Sequence, residues 1–261
     1  MAEGCKIDPL AQVDESAVLA EGVEVGPFCV VGPGVTIGAG TILTSHVSLT
    51  GPTTLGARNR VSPFASIGGP PQDLKYDGEP TKLVVGDDND IRESVTLNRG
   101  TVGGGGVTRL GNGNLLMAYT HIGHDCLVGD RNILANAATL AGHVEIGNDA
   151  TVGAYSGIHQ FCRVADHAFI GGYSVVTQDA MPWVMTVGNR AKAYGLNLVG
   201  LKRGGVPRET ITALKKAYRM LFRSGETLET AVDTVDAELG QYTEVKQLLE
   251  FIRSSERGVC R

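Results

Sequence analysis

"HIGHDCLVGDRNILANAATLAGHVEIGNDATVGAYSGIHQFCRV", residues 121–164, places an aliphatic residue at every sixth position: Ile122, Val128, Leu134, Leu140, Ile146, Val152, Ile158 and Val164. The step runs outward in both directions. It begins at Ile7 and passes through Val13, Leu19, Val25, Val31, Ile37, Leu43, Leu49, Leu55, Val61 and Ile67; after a looser stretch come Val85, Ile91 and Leu97, and it closes at Ile170 and Val176. Leu110 follows Leu97 by thirteen positions, so the frame slips by one within "NRGTVGGGGVTR". The fourth residue after each aliphatic is never large: Cys126, Asn132, Ala138, Val144, Ala150, Ser156 and Cys162 in this stretch. Glycine commonly follows the aliphatic, as at Gly38, Gly129, Gly147 and Gly153, which suggests a corner needing a left-handed backbone. A period of six with one aliphatic and one small position describes a short strand and a tight corner, repeated into a parallel solenoid.

Composition agrees. Thirty-six glycines, 5% aromatic and 42% hydrophobic residues fit a core of small aliphatic side chains better than a bundle or sandwich. There is no run of 18 apolar residues, and "MAEGCKIDPL" is not a basic segment leading into an apolar one, so neither a membrane span nor a signal peptide is expected and a cytoplasmic protein is the default. Five cysteines without a CxxC argue against a disulfide framework or a zinc ribbon. Cys5, Cys29, Cys126 and Cys162 fall on the small position and are expected to pack as compact apolar groups.

The net charge of −5 is unevenly spread. Residues 1–182 hold 10 basic against 19 acidic side chains, residues 183–261 hold 13 against 9, and Arg190–Arg223 has nine basic residues and one acid, Glu209. The balance disfavours nucleic acid; the basic stretch is either a solvated helical face or a site for an acidic partner. After Met181-Pro182 the period is lost. Pro207 at a first helical position, the apolar spacing of Ile211, Leu214, Tyr218, Leu221 and Phe222, and stops at Gly225 and Gly240 predict about three helices. The expected division is therefore a solenoid over 1–182 and a helical domain over 183–261.

A coil of three hexads stacks residues 18 apart. Asp125 then lies under His143 and His143 under Phe161; His124 lies under Gly142 and Gly142 under Gln160; Gly123 lies under Ala141 and His159. His124, Asp125, His143, His159 and Gln160 share one edge within roughly 10 Å, with His121 at the corner leading into it. Four of six histidines in one place point to chemistry rather than solvated surface. A zinc site is one reading, but the hexapeptide-repeat carbonic anhydrases use a histidine pair five residues apart and no such pair occurs here. A general base fits better, since imidazole takes a proton near neutral pH. Asp125 would orient it, and Gly142 above His124 brings a backbone N–H close enough to stabilise an oxyanion.

The hexads resemble the repeat of left-handed parallel β-helices, three hexapeptides per triangular coil; the left hand is implied by this resemblance. "GGPPQDLKYDGEPTKL", "IRESVTLNRGTVGGGGVTRLG", "NLLMAYTHIGHDC", "NILANAATLAGHVEIG", "GIHQFCRV" and "NLVGLKRGG" together resemble the UDP-N-acetylglucosamine O-acyltransferases of lipid A synthesis over essentially the whole chain. The resemblance implies a mainly β protein, a left-handed β-helix acyltransferase domain with a C-terminal helical domain. It also implies a homotrimer with sites between neighbouring prisms, no cofactor or metal, and no stable membrane insertion. The reaction it implies carries an (R)-3-hydroxyacyl chain from acyl carrier protein to the sugar 3-hydroxyl of UDP-N-acetylglucosamine.

By the same resemblance His124 is the general base, Asp125 its support and Gly142 the oxyanion donor. His121, His143, His159 and Gln160 contact sugar, diphosphate or acyl hydroxyl. Gln72, Asp73 and Lys75 of the excursion between Ile67 and Val85 bind the nucleotide sugar, Gly172 leaves room for a long acyl chain, and Asn197 and Arg203 approach the uridine. Two positions depart from the commoner pattern: Val199 and Gly204 stand where many members carry an acid and a second arginine. The basic stretch, with Lys202, Arg203 and Lys216, suits docking of an acidic carrier. Some relatives prefer a 3-amino acceptor. The N-acyltransferase of the same pathway, which has an extra domain before its coils, and a non-catalytic solenoid are the alternatives; the repeat beginning at Ile7 and the histidine edge speak against each in turn.

Overall fold

The computed structural model describes residues 3–261. Strands of two to four residues form three parallel faces of a left-handed β-helix. The first face starts at Lys6–Ile7, the second at Gln12–Val13 and the third at Val18–Leu19, with ten, nine and eight parallel strands. The usual register is 18 residues, as Lys6↔Glu24 and Ile133↔Thr151. The repeat aliphatics point inward and, from Leu19 on, are shielded from water, with Ile7 and Val13 of the first coil partly buried; Ile37, Leu55, Leu97, Leu116, Leu134 and Leu140 are fully buried.

Glycine does not play the part expected of it at the corners. The left-handed residues are mostly not glycine: Asp125, Arg131, His143, Asp149, Tyr155, Phe161 and Tyr173 have φ between 56° and 64°. Each but Asp125 puts its N–H on a carbonyl of the coil below, as His143 N to His124 O at 3.0 Å and Tyr155 N to Asn136 O at 2.9 Å, and Asp125 N donates to the Thr108 hydroxyl instead; these bonds offset the steric cost of that conformation. Gly38, Gly129, Gly147 and Gly153 instead allow close approach of the next coil. A Cβ on Gly38 would lie 2.5 Å from the Gly56 carbonyl carbon, and one on Gly129 would lie 2.5 Å from Gly147 O.

Buried polar side chains on the inner side are also satisfied coil to coil. Asn59 Oδ1 accepts from Asn89 N, Asn89 Oδ1 from Asn114 N, Asn114 Oδ1 from Asn132 N and Asn132 Oδ1 from Ala150 N, all at 2.8–2.9 Å. This ladder explains how an amide is tolerated at a position otherwise held by small apolar groups. Cys29, Cys126 and Cys162 are fully buried, Cys5 is partly buried, and all five cysteines are free; burial pushes the Cys126 thiol up to about 12.

Two excursions interrupt the coils, both between the second and third faces. Ile67 pairs with Leu97, thirty residues on instead of eighteen, so twelve residues are inserted. Leu97 pairs with Ile122, twenty-five on, an insertion of seven. The one-residue slip in the sequence is this second insertion, a hexad plus one.

After residue 182 come the last strand of the first face and one antiparallel strand. Val184–Val187 extends the first face in parallel and Lys192–Leu196 returns antiparallel to it. The helices are α1 (Leu198–Arg203), α2 (Arg208–Arg223), α3 (Leu228–Leu239) and α4 (Thr243–Arg253), so a short helix precedes the three expected. Pro207 stands one residue before α2, not in it, and Gly240 caps α3 in a right-handed conformation. Ile211, Leu214, Tyr218 and Leu221 bury the apolar face of α2 in a second core with Met181, Trp183 and Val184. No helix among the described residues is long and apolar enough to cross a membrane.

Candidate active site

The edge between the second and third faces carries the histidines. His124 and Asp125 follow the strand His121–Ile122, His143 follows Thr139–Leu140 one coil up, and His159, Gln160 and Phe161 follow Gly157–Ile158 above that. The stack read from the sequence is present. His143 and Phe161 rings stack at 4.4 Å between centroids, and His124 meets His143 edge-on at 5.2 Å. A Cβ added to Gly142 would lie 2.5 Å from His124 Cε1, so the imidazole occupies the space that any other residue would fill.

Asp125 shares that edge but is shielded from water; its side chain is 1% exposed. The seven-residue excursion folds over it. Thr101 N donates to Oδ1 at 2.8 Å, Thr101 Oγ1 donates to Oδ2 at 2.6 Å, and Asp125 N donates to Thr108 Oγ1 at 2.7 Å. Gly100 and Gly104 lie against the carboxylate where a Cβ would collide with it. The remaining contact of Oδ2 is His124 Nδ1 at 2.8 Å, while His143 Nε2 is 3.7 Å away. A buried carboxylate with fixed donors therefore holds one nitrogen of His124 and leaves Nε2 for another group, the geometry of an oriented base.

His124, Asp125 and His143 also offer three ligand atoms within 4.8 Å of one another. A cation there would have to take Asp125 Oδ2 from Thr101 and His124 together, so the donor set suits a proton carrier better than a metal. Among the described residues, the Gly142 amide has no hydrogen-bond partner.

His121 lies on a strand rather than at the corner, its Nδ1 2.7 Å from Thr96 Oγ1. Burial lowers its pKa below the ordinary 6.5, and the like charge of His124 acts in the same direction. The unfolded chain then binds more protons in the window just below 6.5, so this contribution to stability is complete above that value and is lost as pH falls through it. The urea midpoint should drop between about pH 7.5 and about pH 5.5, and less so in His121→Asn; an equal drop in both proteins removes His121 as the cause.

His159 and Gln160 are exposed. The C-terminal segment returns to them: Arg257 Nη2 is 3.4 Å from His159 Nδ1. With Ser254 and Glu256, Arg257 borders a cleft of about 710 Å³ that also reaches Asp125, His143 and Phe161. No pattern in the sequence signals this contact, which joins residues 98 apart. Thr101 had a signal, the frame slip, but not an assignment.

Gln72, Asp73 and Lys75 lie in the twelve-residue excursion on the same edge, two coils below His124. Gln72 and Lys75 are exposed, and Asp73 Oδ1 accepts from Lys75 N at 3.0 Å. The chain does not bring the remaining residues here. Gly172 sits on the edge between the first and second faces. Asn197 caps α1 through Gly200 N, 2.9 Å from its Oδ1, and Arg203 ends that helix.

A prism of hexads with a carboxylate-oriented histidine beside an unpaired amide is an arrangement suited to acyl transfer. The bacterial transferase hexapeptide profile matches residues 16–51 and 143–178, and the profile for domain 2 of UDP-N-acetylglucosamine O-acyltransferase matches 179–260. The acyl-acyl-carrier-protein UDP-N-acetylglucosamine O-acyltransferase of Thermodesulfovibrio yellowstonii is 49% identical over 255 residues, covering 98% of this chain and 96% of its own. The crystal structure of UDP-N-acetylglucosamine O-acyltransferase from Moraxella catarrhalis RH4 is 47% identical with a TM-score of 0.94, covering 98% and 99% of the two chains. The UDP-N-acetylglucosamine acyltransferase of Arabidopsis is 36% identical with a TM-score of 0.88, covering 98% and 100%. The chain belongs to the UDP-N-acetylglucosamine O-acyltransferase family.

Proposed function

We propose that this protein transfers an (R)-3-hydroxyacyl group from acyl carrier protein to the 3-hydroxyl of UDP-N-acetylglucosamine, the first step of lipid A synthesis. His124 Nδ1–H donates to Asp125, and Nε2 takes the proton of the sugar hydroxyl as its oxygen attacks the thioester carbonyl carbon. The developing oxyanion is met by the Gly142 N–H. Collapse breaks the carbon–sulfur bond, and the imidazolium returns its proton to the departing thiolate. The observation that carries this proposal is the 2.8 Å contact of His124 with a fully buried Asp125, which sits on Thr101.

Within the proposal His121, His143, His159 and Gln160 contact sugar, diphosphate or acyl hydroxyl, and Gln72, Asp73 and Lys75 hold the nucleotide sugar. Gly172, Asn197 and Arg203 serve the acyl chain and uridine of a neighbouring protomer's site, because one chain keeps them apart from the histidine edge; the functional unit is a homotrimer. Residues 1–182 carry the chemistry, residues 183–261 meet the carrier, and the work is done in the cytoplasm. The test is an acylation assay crossing several acyl lengths with UDP-N-acetylglucosamine and its 3-amino analogue. Preference for the hydroxyl sugar and a long chain is expected; preference for the amino sugar replaces the acceptor.

Among the docking cations, those on the outer side of α2 are the best placed. Lys216 is held by Glu238, whereas Lys215, Arg219 and Arg223 share one side of α2 and line a groove of about 330 Å³ with Tyr218. Reversing these three charges should raise the KM for acyl carrier protein and flatten its salt dependence, leaving the KM for the sugar unchanged. An unchanged carrier KM at low salt rejects the docking face.

A further inference from the structure

Arg99 is 8% exposed, and its bonds go to neutral oxygens. Nη1 donates to Gly51 O at 2.7 Å and to Gly68 O at 2.8 Å, Nη2 donates to Tyr76 Oη at 3.1 Å, and Nε is buried without a partner. Burying a guanidinium on uncharged acceptors is costly, and an apolar side chain could fill the same space more cheaply. What arginine adds is direction, a rigid fork of donors that reaches several segments at once.

The segments it reaches are informative. Gly51 lies two coils below Arg99, Gly68 opens the twelve-residue excursion, and Tyr76 lies inside it, its Oη donating to Glu79 O at 2.9 Å. The neighbouring backbone completes the clamp: Arg99 N donates to Gly69 O at 2.9 Å and Asn98 Nδ2 to Pro70 O at 3.0 Å. Two residues further on, Thr101 grips Asp125 through both its amide and its hydroxyl. Gly100, between them, is packed so closely that a Cβ would lie 2.7 Å from Asp125 Oδ1. The tripeptide Arg99-Gly100-Thr101 is thus a short strut, with the Gln72–Lys75 loop at one end and the carboxylate under His124 at the other.

We propose that Arg99 is a positioning residue that fixes the loop carrying Gln72, Asp73 and Lys75 relative to Asp125 and His124, and so sets the affinity for the nucleotide sugar. The proposal rests on the role given above to that loop. Arg99 touches neither substrate nor reacting atoms; it acts by removing the freedom that the loop would otherwise lose on binding.

The test compares Arg99→Lys, Tyr76→Phe and Gln72→Ala in the full-length protein, reading kcat, the KM for each substrate, the unfolding midpoint, and the rate of tryptic cleavage after Lys75. A hydrogen bond to a charged group is the interaction removed, so Arg99→Lys should raise the KM for UDP-N-acetylglucosamine about ten- to a hundredfold, with kcat and the carrier KM within about threefold. Tyr76→Phe should raise the same KM by a smaller factor, and both variants should be cut faster after Lys75. A raised KM in Gln72→Ala with none in the other two overturns the positioning role alone. An unchanged KM in all three overturns the loop's part in binding and the positioning role with it. Parallel loss of kcat and of both KM values, tracking a lowered midpoint, makes Arg99 a fold-stabilising residue and rejects the proposal. Should Arg99→Lys not fold, Tyr76→Phe decides the matter: it removes the loop-side acceptor of Arg99 together with the hydroxyl's own bond to Glu79 O, and an unchanged KM for UDP-N-acetylglucosamine in it rejects the proposal.

Discussion

His124→Ala should lose about 10² to 10⁴ in kcat, the usual contribution of a general base, with its unfolding midpoint close to that of the parent protein. The ring is partly exposed and makes one strong polar contact, to Asp125 at 2.8 Å, so its removal opens a site rather than a core. Buried Asp125 keeps both Thr101 bonds in the variant, which is why folding should survive. His143 is the rival base, edge-on to His124 but 3.7 Å from the same carboxylate oxygen. A nitrogen at that distance is not hydrogen-bonded to its orienter, so His143→Ala should cost less kcat than His124→Ala. The reverse order would move the base to His143, and near-full turnover in His124→Ala would remove base catalysis from this edge.

Gly142→Ala should cost about 10² in kcat, the scale of an ångström-sized displacement of a catalytic group. The new methyl would lie 2.5 Å from His124 Cε1 and 2.6 Å from Nε2, well inside contact distance, so the ring must leave the position that Asp125 gives it. The Gly142 backbone is outside the left-handed region, so alanine adds no strain of its own. Gly195→Ala, where an added Cβ meets nothing within 4 Å, is the control. Normal turnover in Gly142→Ala would show that the ring position does not matter to the rate-limiting step.

The period of six made the core legible because each coil is a copy of the one below, and stacking 18 residues apart is imposed by strand pairing rather than by particular side chains. The same period hid one thing and revealed another. The twelve-residue insertion is two whole hexads, so the frame keeps its phase from Ile67 to Leu97, and the excursion is marked by the Gly68-Gly69-Pro70-Pro71 breaker and by Asp73 and Glu79 at the two repeat positions it spans. The seven-residue insertion leaves a remainder of one and shows as a slip. Glycine after the aliphatic was assigned the wrong cause, because a sequence cannot distinguish a residue that must turn from one that must let another coil pass; Gly129 is the second kind.

The sequence by itself determined the inward aliphatic ladders, the packing role of the cysteines, and the convergence of His124, Asp125, Gly142 and His143 on one edge, all consequences of local repetition. Tertiary structure decided what that edge can do. Thr101 buries Asp125, Arg99 ties the loop that carries Gln72, Asp73 and Lys75 to the same strut, and Arg257 returns from the far end of the chain to His159. These contacts depend on the lengths of two insertions and on where a helical segment lets the chain come back. Neither is constrained by a six-residue period, so they become visible only when the coils are built.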